Sequence, residues 1–182
     1  HVLYYSATPR SPALAQHLHR QCQATTVLLG ASIGILLWFC VVVGLIRRMQ
    51  TQAIDEILQF WFEDIEHSRW FIKDHDFDRK LETRFGDLLK QALSGQLDAW
   101  SDTPLGRLAL IILLDQFSRN IYRDSACAFA ADAKALHLTI DGIEQHFDEK
   151  LSLEERSFFY MPLRHAEDLQ MQQLGLKKTR EL

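Results

Sequence analysis

The sequence has few of the residues that define several protein classes. Its 182 residues include three cysteines, four prolines and eight glycines, whereas 47% are hydrophobic. A disulfide scaffold, a collagen-like repeat and a disordered chain are therefore excluded. The chain also lacks a Gly-rich phosphate loop, a nucleophile elbow and a CxxC pair. No cofactor is expected, no catalytic residue is identified, and whether the protein is an enzyme stays open at this stage.

Acidic side chains are missing from the first part of the chain. Residues 1–50 contain four arginines and no Asp or Glu, which leaves 16 of the 20 basic side chains and all 24 acidic ones for residues 51–182. The formal charge of −4 therefore combines a basic segment with an acidic one. An acidic domain argues against a nucleic-acid partner, which would require a basic face.

Residues 27–46 form a run of twenty residues without a charge, VLLGASIGILLWFCVVVGLI. A helix of that length spans roughly 30 Å, the hydrocarbon thickness of a bilayer. The run predicts a single transmembrane helix, which with its basic flank covers residues 25–48 and follows a polar tail at residues 1–24. The membrane is the first expected partner, and the location follows as a single-pass membrane protein.

The residues around this run predict its orientation and its packing. Arg47 and Arg48 follow the run directly, whereas only Arg20 lies close to its other end. The positive-inside rule then places the carboxy-terminal domain in the cytoplasm. Gly30 and Gly34 form a GxxxG match, which lets two helices approach closely and predicts a weak homodimer.

From residue 51 onward the apolar spacing is helical, and no alternating β-branched run competes with it. Residues 51–182 are therefore predicted as an all-α domain of antiparallel helix pairs with short connections. Capping residues predict where the helices begin. The predicted starts are Asp74 or Asp76, Thr103 before Pro104, Asp124-Ser125, the capping box of Ser152 and Glu155, and Pro162.

Three further expectations concern individual helices. Residues 105–114 are apolar nearly all round and predict the central, most buried helix. Gly95 is expected to end the helix before it, and Gly175 to end the helix that starts at Pro162. The helix starting at Asp124-Ser125 is expected to turn one face inward, made of Phe129, Ala133, Leu136 and Ile140.

Three stretches go beyond generic helical sequence. They are ILQFWF at residues 57–62 followed by RWF at 69–71 and FD at 77–78, TPLGRLA at 103–109 continuing into LLDQFSRNIYR at 113–123, and ERSFFYMPLRHAED at 155–168. Together and in this order they resemble a bacterial family known as domain of unknown function 924, over about residues 54–173. The resemblance implies a tetratricopeptide-like helical array and no established activity. Members of the family continue with further helix after the segment that corresponds to His165-Ala166-Glu167. The domain at 51–182 is therefore expected to be truncated at its carboxy terminus.

Polar residues follow the most apolar helix directly. Asp115 and Arg119 are one helical turn apart, so the simplest interpretation is an ion pair within the helix. The alternative is a pocket for an anionic ligand, lined by Arg119, Asn120 and Arg123, because guanidinium groups suit carboxylates and phosphates. Both interpretations stay open.

A second polar group lies in the ERSFFYMPLRHAED stretch. It contains Arg156, Tyr160, His165 and Glu167, and Asp168 lies three residues after His165. An HxxD pair without a third ligand does not define a metal site, so no metal is expected. Tyr160 before Met161-Pro162 is also typical of a packed helix junction.

Two functions follow from these observations. The first is a membrane-anchored helical interaction module that offers a groove to a protein or peptide partner. The second is an enzyme or small anionic-ligand binder, whose pocket joins the two polar segments. Its candidate ligand-binding residues are Asp115, Arg119, Asn120, Arg156, Tyr160, His165 and Glu167. Convergence of the two segments on one cavity would favour the second function.

Overall fold

A computed structural model of the chain describes residues 38–70 and 72–182. The chain divides into two compact units, His1–Met49 and Gln50–Leu182. In the first unit, residues 38–49 are helical. The predicted polar tail and the Gly30/Gly34 pair lie outside the described residues, so the homodimer stays a prediction.

The predicted single transmembrane helix is wrong, because no helix in the described part of the chain is long and apolar enough to cross a membrane. Residues 27–37 of the uncharged run lie outside the described residues, and its helical remainder, 38–46, leads directly into Arg47 and Arg48. A span needs about 20 consecutive apolar residues. The single-pass membrane location and the cytoplasmic orientation depended on that helix and are corrected with it.

The second unit is all-α across its described residues, which confirms the predicted class. Its first helix, α1, covers residues 50–59 and ends in a π-helical turn at Phe60–Asp64. Short 3-10 turns separate several of the later elements. The tetratricopeptide-like arrangement of these helices stays a prediction. The remaining helices are α2 His75–Leu93, α3 Pro104–Ile111, α4 Ser118–Ile121, α5 Asp132–Glu144, α6 Leu153–Phe159, α7 Met161–His165 and α8 Leu169–Arg180.

Side-chain caps begin three of these helices where the sequence predicts them. Asp74 accepts hydrogen bonds from the backbone N–H groups at the start of α2, and Gly95 follows that helix with φ 82°. Thr103 caps α3 by accepting from the Gly106 N–H at 3.2 Å. Ser152 and Glu155 form the capping box of α6. These side chains satisfy backbone donors that a helix leaves unpaired at its first turn.

The centre of the unit is α3 with the π-helical turn Ile112–Phe117 that continues it. Leu108–Leu114 are at most 1% exposed, which confirms the predicted central helix over these residues, whereas Leu105 at its start is 44% exposed. The helix packs against α5, α6 and the 3-10 turn Asp98–Asp102. A helix that is apolar on every side requires neighbours on every side, and this arrangement supplies them.

The predicted fourth helix is corrected. Ser125 caps a short 3-10 turn, Ala126–Phe129, and α5 begins only at Asp132. Because the helix is interrupted, the residues after the break are rotated about the helix axis relative to the predicted continuous helix. Phe129, predicted to be buried, is therefore 59% exposed, and Ala135 and Leu138 are buried in its place.

The helix predicted from Pro162 to about residue 174 is also corrected. It is two helices, α7 and α8, and Asp168 starts the second by accepting from the N–H groups of Gln170 and Met171 at 2.8 and 3.0 Å. Gly175 lies inside α8, where a Cβ would stand 3.0 Å from the Cβ of Leu163 in α7. The glycine therefore permits close packing of the two helices and does not end one.

Candidate functional site

A π-helical turn begins the candidate site. In Ile112–Phe117 the helix is widened, and the Ser118 N–H bonds to the carbonyl of Leu113, five residues back. Such turns are often found at functional sites. Asp115 lies in the middle of this turn, and Arg119 follows in α4.

Asp115 is completely buried and contacts His165, the last residue of α7. Its Oδ1 lies 2.8 Å from His165 Nδ1, and its Oδ2 accepts from Gln116 Nε2 at 2.5 Å. A carboxylate only accepts hydrogen bonds, so Nδ1 of the ring carries the proton in this contact. The pairing fixes the imidazole and leaves Nε2 for exchange of a proton with another group.

Arg119 joins this pair to the start of α5. Its Nη2 donates to Asp115 Oδ1 at 3.2 Å and to Asp132 Oδ2 at 2.9 Å. Its guanidinium also lies over the Phe129 ring, 5.0 Å from the ring centroid. The ion pair expected within the helix is therefore present, and the same guanidinium is shared with a second carboxylate.

These side chains form the wall of one open cleft with a volume of about 650 Å³. Small-molecule sites typically occupy roughly 300–1,000 Å³, so the size suits a metabolite. Polar and apolar residues contribute in nearly equal number. The polar lining residues are Asp115, Arg119, Asp132, His165, Glu167 and Asp168, and the apolar ones are Phe129, Ala133, Leu136, Pro162 and Ala166.

The structure brings together four of the seven residues predicted from the sequence. Asp115, Arg119, His165 and Glu167 line the cleft, so both polar segments contribute to it. The other three lie elsewhere. They are Asn120, Arg156 and Tyr160.

Asn120 belongs to a separate ion-pair cluster. Its Oδ1 accepts from Arg123 Nη2 at 2.7 Å, and Arg123 donates two further hydrogen bonds to Asp78, at 2.7 and 2.8 Å. These bonds to Asp78 raise the pKa of Arg123. The cluster connects α2 with the end of α4, so the role of Asn120 is to orient Arg123.

Arg156 and Tyr160 both bond to a different acidic residue, Asp148, Tyr160 to its carboxylate and Arg156 to its backbone carbonyl. The Tyr160 hydroxyl and Lys178 Nζ donate to Asp148 Oδ2 at 2.6 and 2.9 Å, and Arg156 Nε donates to the Asp148 carbonyl at 2.7 Å. Burial raises the pKa of Tyr160, and its bond to Asp148 raises it further. Burial alone would raise the pKa of Asp148, but the bonds from Tyr160 and Lys178 outweigh it and lower that pKa.

Among the polar lining residues, Asp132 was not predicted from the sequence, and Phe129 was expected to be buried rather than to line a cleft. Asp132 is the acidic residue in the first turn of α5, a signal hidden because the helix was expected to begin near Ser125. Asp168 was recognised only as a neighbour of His165, and it does line the same cleft. Within the described ranges, no group of three or more His, Cys, Asp or Glu side chains is placed to hold a metal ion.

Comparison with known proteins identifies the family. The model of the family described as bacterial protein of unknown function (DUF924) matches residues 57–182. The chain belongs to the DUF924 family. This confirms the resemblance seen in the sequence, and every residue that lines the cleft lies inside the matched region.

A solved structure of a protein of unknown function from Agrobacterium tumefaciens is similar to this DUF924 chain. The two are 34% identical, and the match covers 72% of this chain and 74% of the other, with a TM-score of 0.69. No curated protein matches the chain.

Proposed function

We propose that this DUF924 domain binds a small molecule in the cleft and exchanges a proton with it through His165. The observation that carries the proposal is the contact of 2.8 Å between His165 Nδ1 and the buried carboxylate of Asp115. The His165 side chain keeps 32% of its surface exposed while it lines the cleft. A fixed imidazole at the wall of a cleft is a suitable general acid or base.

The buried carboxylate has a clear role in such a pair. It selects the tautomer with the proton on Nδ1, and it stabilises the imidazolium that forms when Nε2 takes up a proton. Gln116 and Arg119 hold Asp115 in turn, so its position does not depend on the ligand. A positioned acid or base of this kind accelerates a reaction by about 10²–10⁴-fold.

The composition of the lining restricts the chemistry. Among the described residues that line the cleft, none is Ser, Thr, Cys or Lys, so a covalent intermediate would have to form on a carboxylate or on His165 itself. Proton transfer by His165 needs no such intermediate, and it is the reaction step that the contact with Asp115 supports best. Suitable reaction classes are isomerisation, elimination and hydrolysis by an activated water.

The interaction module comes second and stays a prediction. It has the support of exposed leucines on α8, with Leu169 69% and Leu176 51% exposed. The small-molecule proposal has more specific support, because two polar segments distant in sequence share one cleft. A binding surface for a protein partner does not require a buried carboxylate behind a histidine.

A thermal-shift screen of the full chain tests the proposal. The panel contains amines, amino acids, carboxylic acids, nucleosides and sugar phosphates, and stabilising compounds are then followed by proton NMR for conversion. A ligand present at 100 times its Kd should stabilise the fold by about 2.7 kcal/mol. We expect at least one compound to stabilise the wild type and to be converted by it.

Three variants assign the result to the cleft. Ala133→Trp fills the cleft from an exposed position and should abolish the stabilisation. His165→Gln should abolish conversion, whereas His137→Gln, at an exposed histidine of α5 outside the cleft, should leave both unchanged. The proposal fails when no compound stabilises the wild type, or when Ala133→Trp is stabilised as much as the wild type.

A further inference from the structure

We propose that the ligand of the cleft is an organic cation, with an alkylammonium or guanidinium group on an apolar body. This inference rests on the proposed function, because it names the chemical class that the same cleft would bind. It also differs from the anionic ligand that Arg119 and Arg123 suggested in the sequence. The difference comes from what the arginines contact in the folded chain.

The charges of the lining favour a cation. Four carboxylates face one guanidinium and one imidazole in the cleft. Arg119 is 3.2 Å from Asp115 and 2.9 Å from Asp132, so its positive charge is already shared between two carboxylates. Glu167 and Asp168 then remain as negative charge without a basic partner in the lining. An anion entering this cleft would meet net repulsion.

The hydrogen-bonding groups of the cleft lead to the same conclusion. Asp132 Oδ1 is buried and accepts no hydrogen bond from any described residue. Glu167 makes neither a hydrogen bond nor an ion pair within the part of the chain that the structure describes. Glu167 is exposed, so an ammonium or guanidinium N–H can reach it and form a charge-assisted hydrogen bond. Asp132 Oδ1 would gain such a donor only if its side chain turned towards the cleft.

Two groups in the cleft have to be weighed against this conclusion. Arg119 Nε is buried and has no acceptor among the described residues, but the charge of that guanidinium is already compensated. Asp168 Oδ1 accepts from two N–H groups of α8, which reduces but does not remove its negative charge.

The apolar wall shows that the cation is organic. Phe129, Leu136 and Pro162 contribute hydrocarbon surface to the cleft. The Phe129 ring is 59% exposed and already carries the Arg119 guanidinium on one face, so it attracts positive charge by its π-system. No described group of side chains offers three ligands to a metal ion, which leaves the organic cation as the better match.

Matched probes of one length and three charges test the inference. The full chain is titrated with pentylamine, pentanol and pentanoate, together with pentylguanidine as a guanidinium probe, by calorimetry at low ionic strength. We expect the two cations to bind about tenfold more tightly than the alcohol or the carboxylate, because of their attraction to the acidic lining. Added salt should weaken the binding of the cations.

Variants distinguish the inference from the proposed function. Glu167→Gln should weaken cation binding about two- to fivefold, the range expected for an exposed charge pair. Glu144→Gln, at an exposed acidic residue of α5 outside the cleft, should leave it unchanged. Ala133→Trp should abolish it.

Each outcome separates the two proposals. If pentanoate or pentanol binds as tightly as the cations and Ala133→Trp removes that binding, the cation class is overturned and the small-molecule proposal stands. If the cations bind equally well to Ala133→Trp, the inference is overturned because they bind elsewhere. If no probe and no compound of the screening panel binds the wild type, both proposals fail.

Discussion

Replacing Gly142 by Ala should destabilise the fold, although alanine is the better helix former. Gly142 lies in α5, and an added Cβ would stand 2.5 Å from Cζ of Phe159 and 2.8 Å from Cδ of Arg107. Two carbon atoms pack best at about 3.5–4.0 Å, so both neighbours would have to move. Both are buried, Phe159 at 0% and Arg107 at 3% exposure.

The expected magnitude follows from two opposing effects. Overpacking a core costs about 1–3 kcal/mol, and two tight contacts on buried side chains place Gly142→Ala in the upper part of that range. The change from glycine to alanine inside a helix returns about 1 kcal/mol. The net destabilisation should be about 1–2 kcal/mol. At about 2–4 °C per kcal/mol for a chain of this size, the Tm should fall by about 2–8 °C.

The assay is thermal and urea denaturation of the full chain, followed by circular dichroism. Gly86→Ala is the matched control, because it is also a buried helical glycine and its added Cβ would lie 3.7 Å from Cγ of Glu82, an ordinary contact. This control should be as stable as the wild type or more stable by up to about 1 kcal/mol. If Gly142→Ala is as stable as Gly86→Ala, the close approach of α5 to α3 and α6 is refuted.

Three further predictions concern the Asp148 cluster and a helix cap. Tyr160→Phe should destabilise the chain by about 1.5–3 kcal/mol in urea titrations at neutral pH, because among the described residues buried Asp148 then keeps only Lys178 as a side-chain donor. The pKa of Asp148 is lowered from 3.8, so its carboxylate stabilises the fold above about pH 4, and this stabilisation is lost as the pH falls through the lowered pKa. The difference in unfolding free energy between wild type and Asp148→Asn should therefore shrink on acidification, and parallel pH profiles would contradict this. Ser152→Ala removes the capping box with Glu155 and should cost about 1 kcal/mol in thermal denaturation, whereas an unchanged Tm would contradict it.

Much of the fold could be predicted from the sequence because its signals are local. Thr103 and Ser152 cap helices through N–H groups three residues away, so the side chain and its partner lie in one short stretch of sequence. The central helix could be recognised in the same way, since its apolar residues cover every side. Such features depend on the periodicity of the helix and not on the arrangement of the other elements.

Two predictions of helix boundaries failed, one at Ser125 and one at Gly175. Ser125 has the sequence of a helix start, yet the turn it caps ends after Phe129 and α5 begins separately. Gly175 has the sequence of a helix end, yet it lies inside α8 and lets that helix approach Leu163. A capping residue and a close-packing glycine look alike in a sequence, and only the neighbouring helix distinguishes them.

For the candidate site, individual residues could be predicted from the sequence, but the contacts between them could not. Asp115 and Arg119 could be recognised because charged residues directly after an apolar helix are unusual, and His165 because it lies in a second polar segment at residues 156–168. Their mutual contact could not be predicted, because Asp115 and His165 are fifty positions apart. Tyr160 was selected by the same reasoning, but it is bound to Asp148, whose burial gives no sequence signal.

The position of Asp115 is easier to explain by a function than by stability. It follows the central apolar helix of the second unit, where the neighbouring residues from Leu108 to Leu114 are buried hydrocarbon. Buried ion pairs seldom stabilise a fold more than apolar side chains of similar volume would, because desolvation offsets the attraction. Under the proposed function, a carboxylate placed there in a widened helical turn orients the imidazole at the wall of the cleft. The contact between Asp115 and His165 is therefore the first place to test the proposed proton transfer.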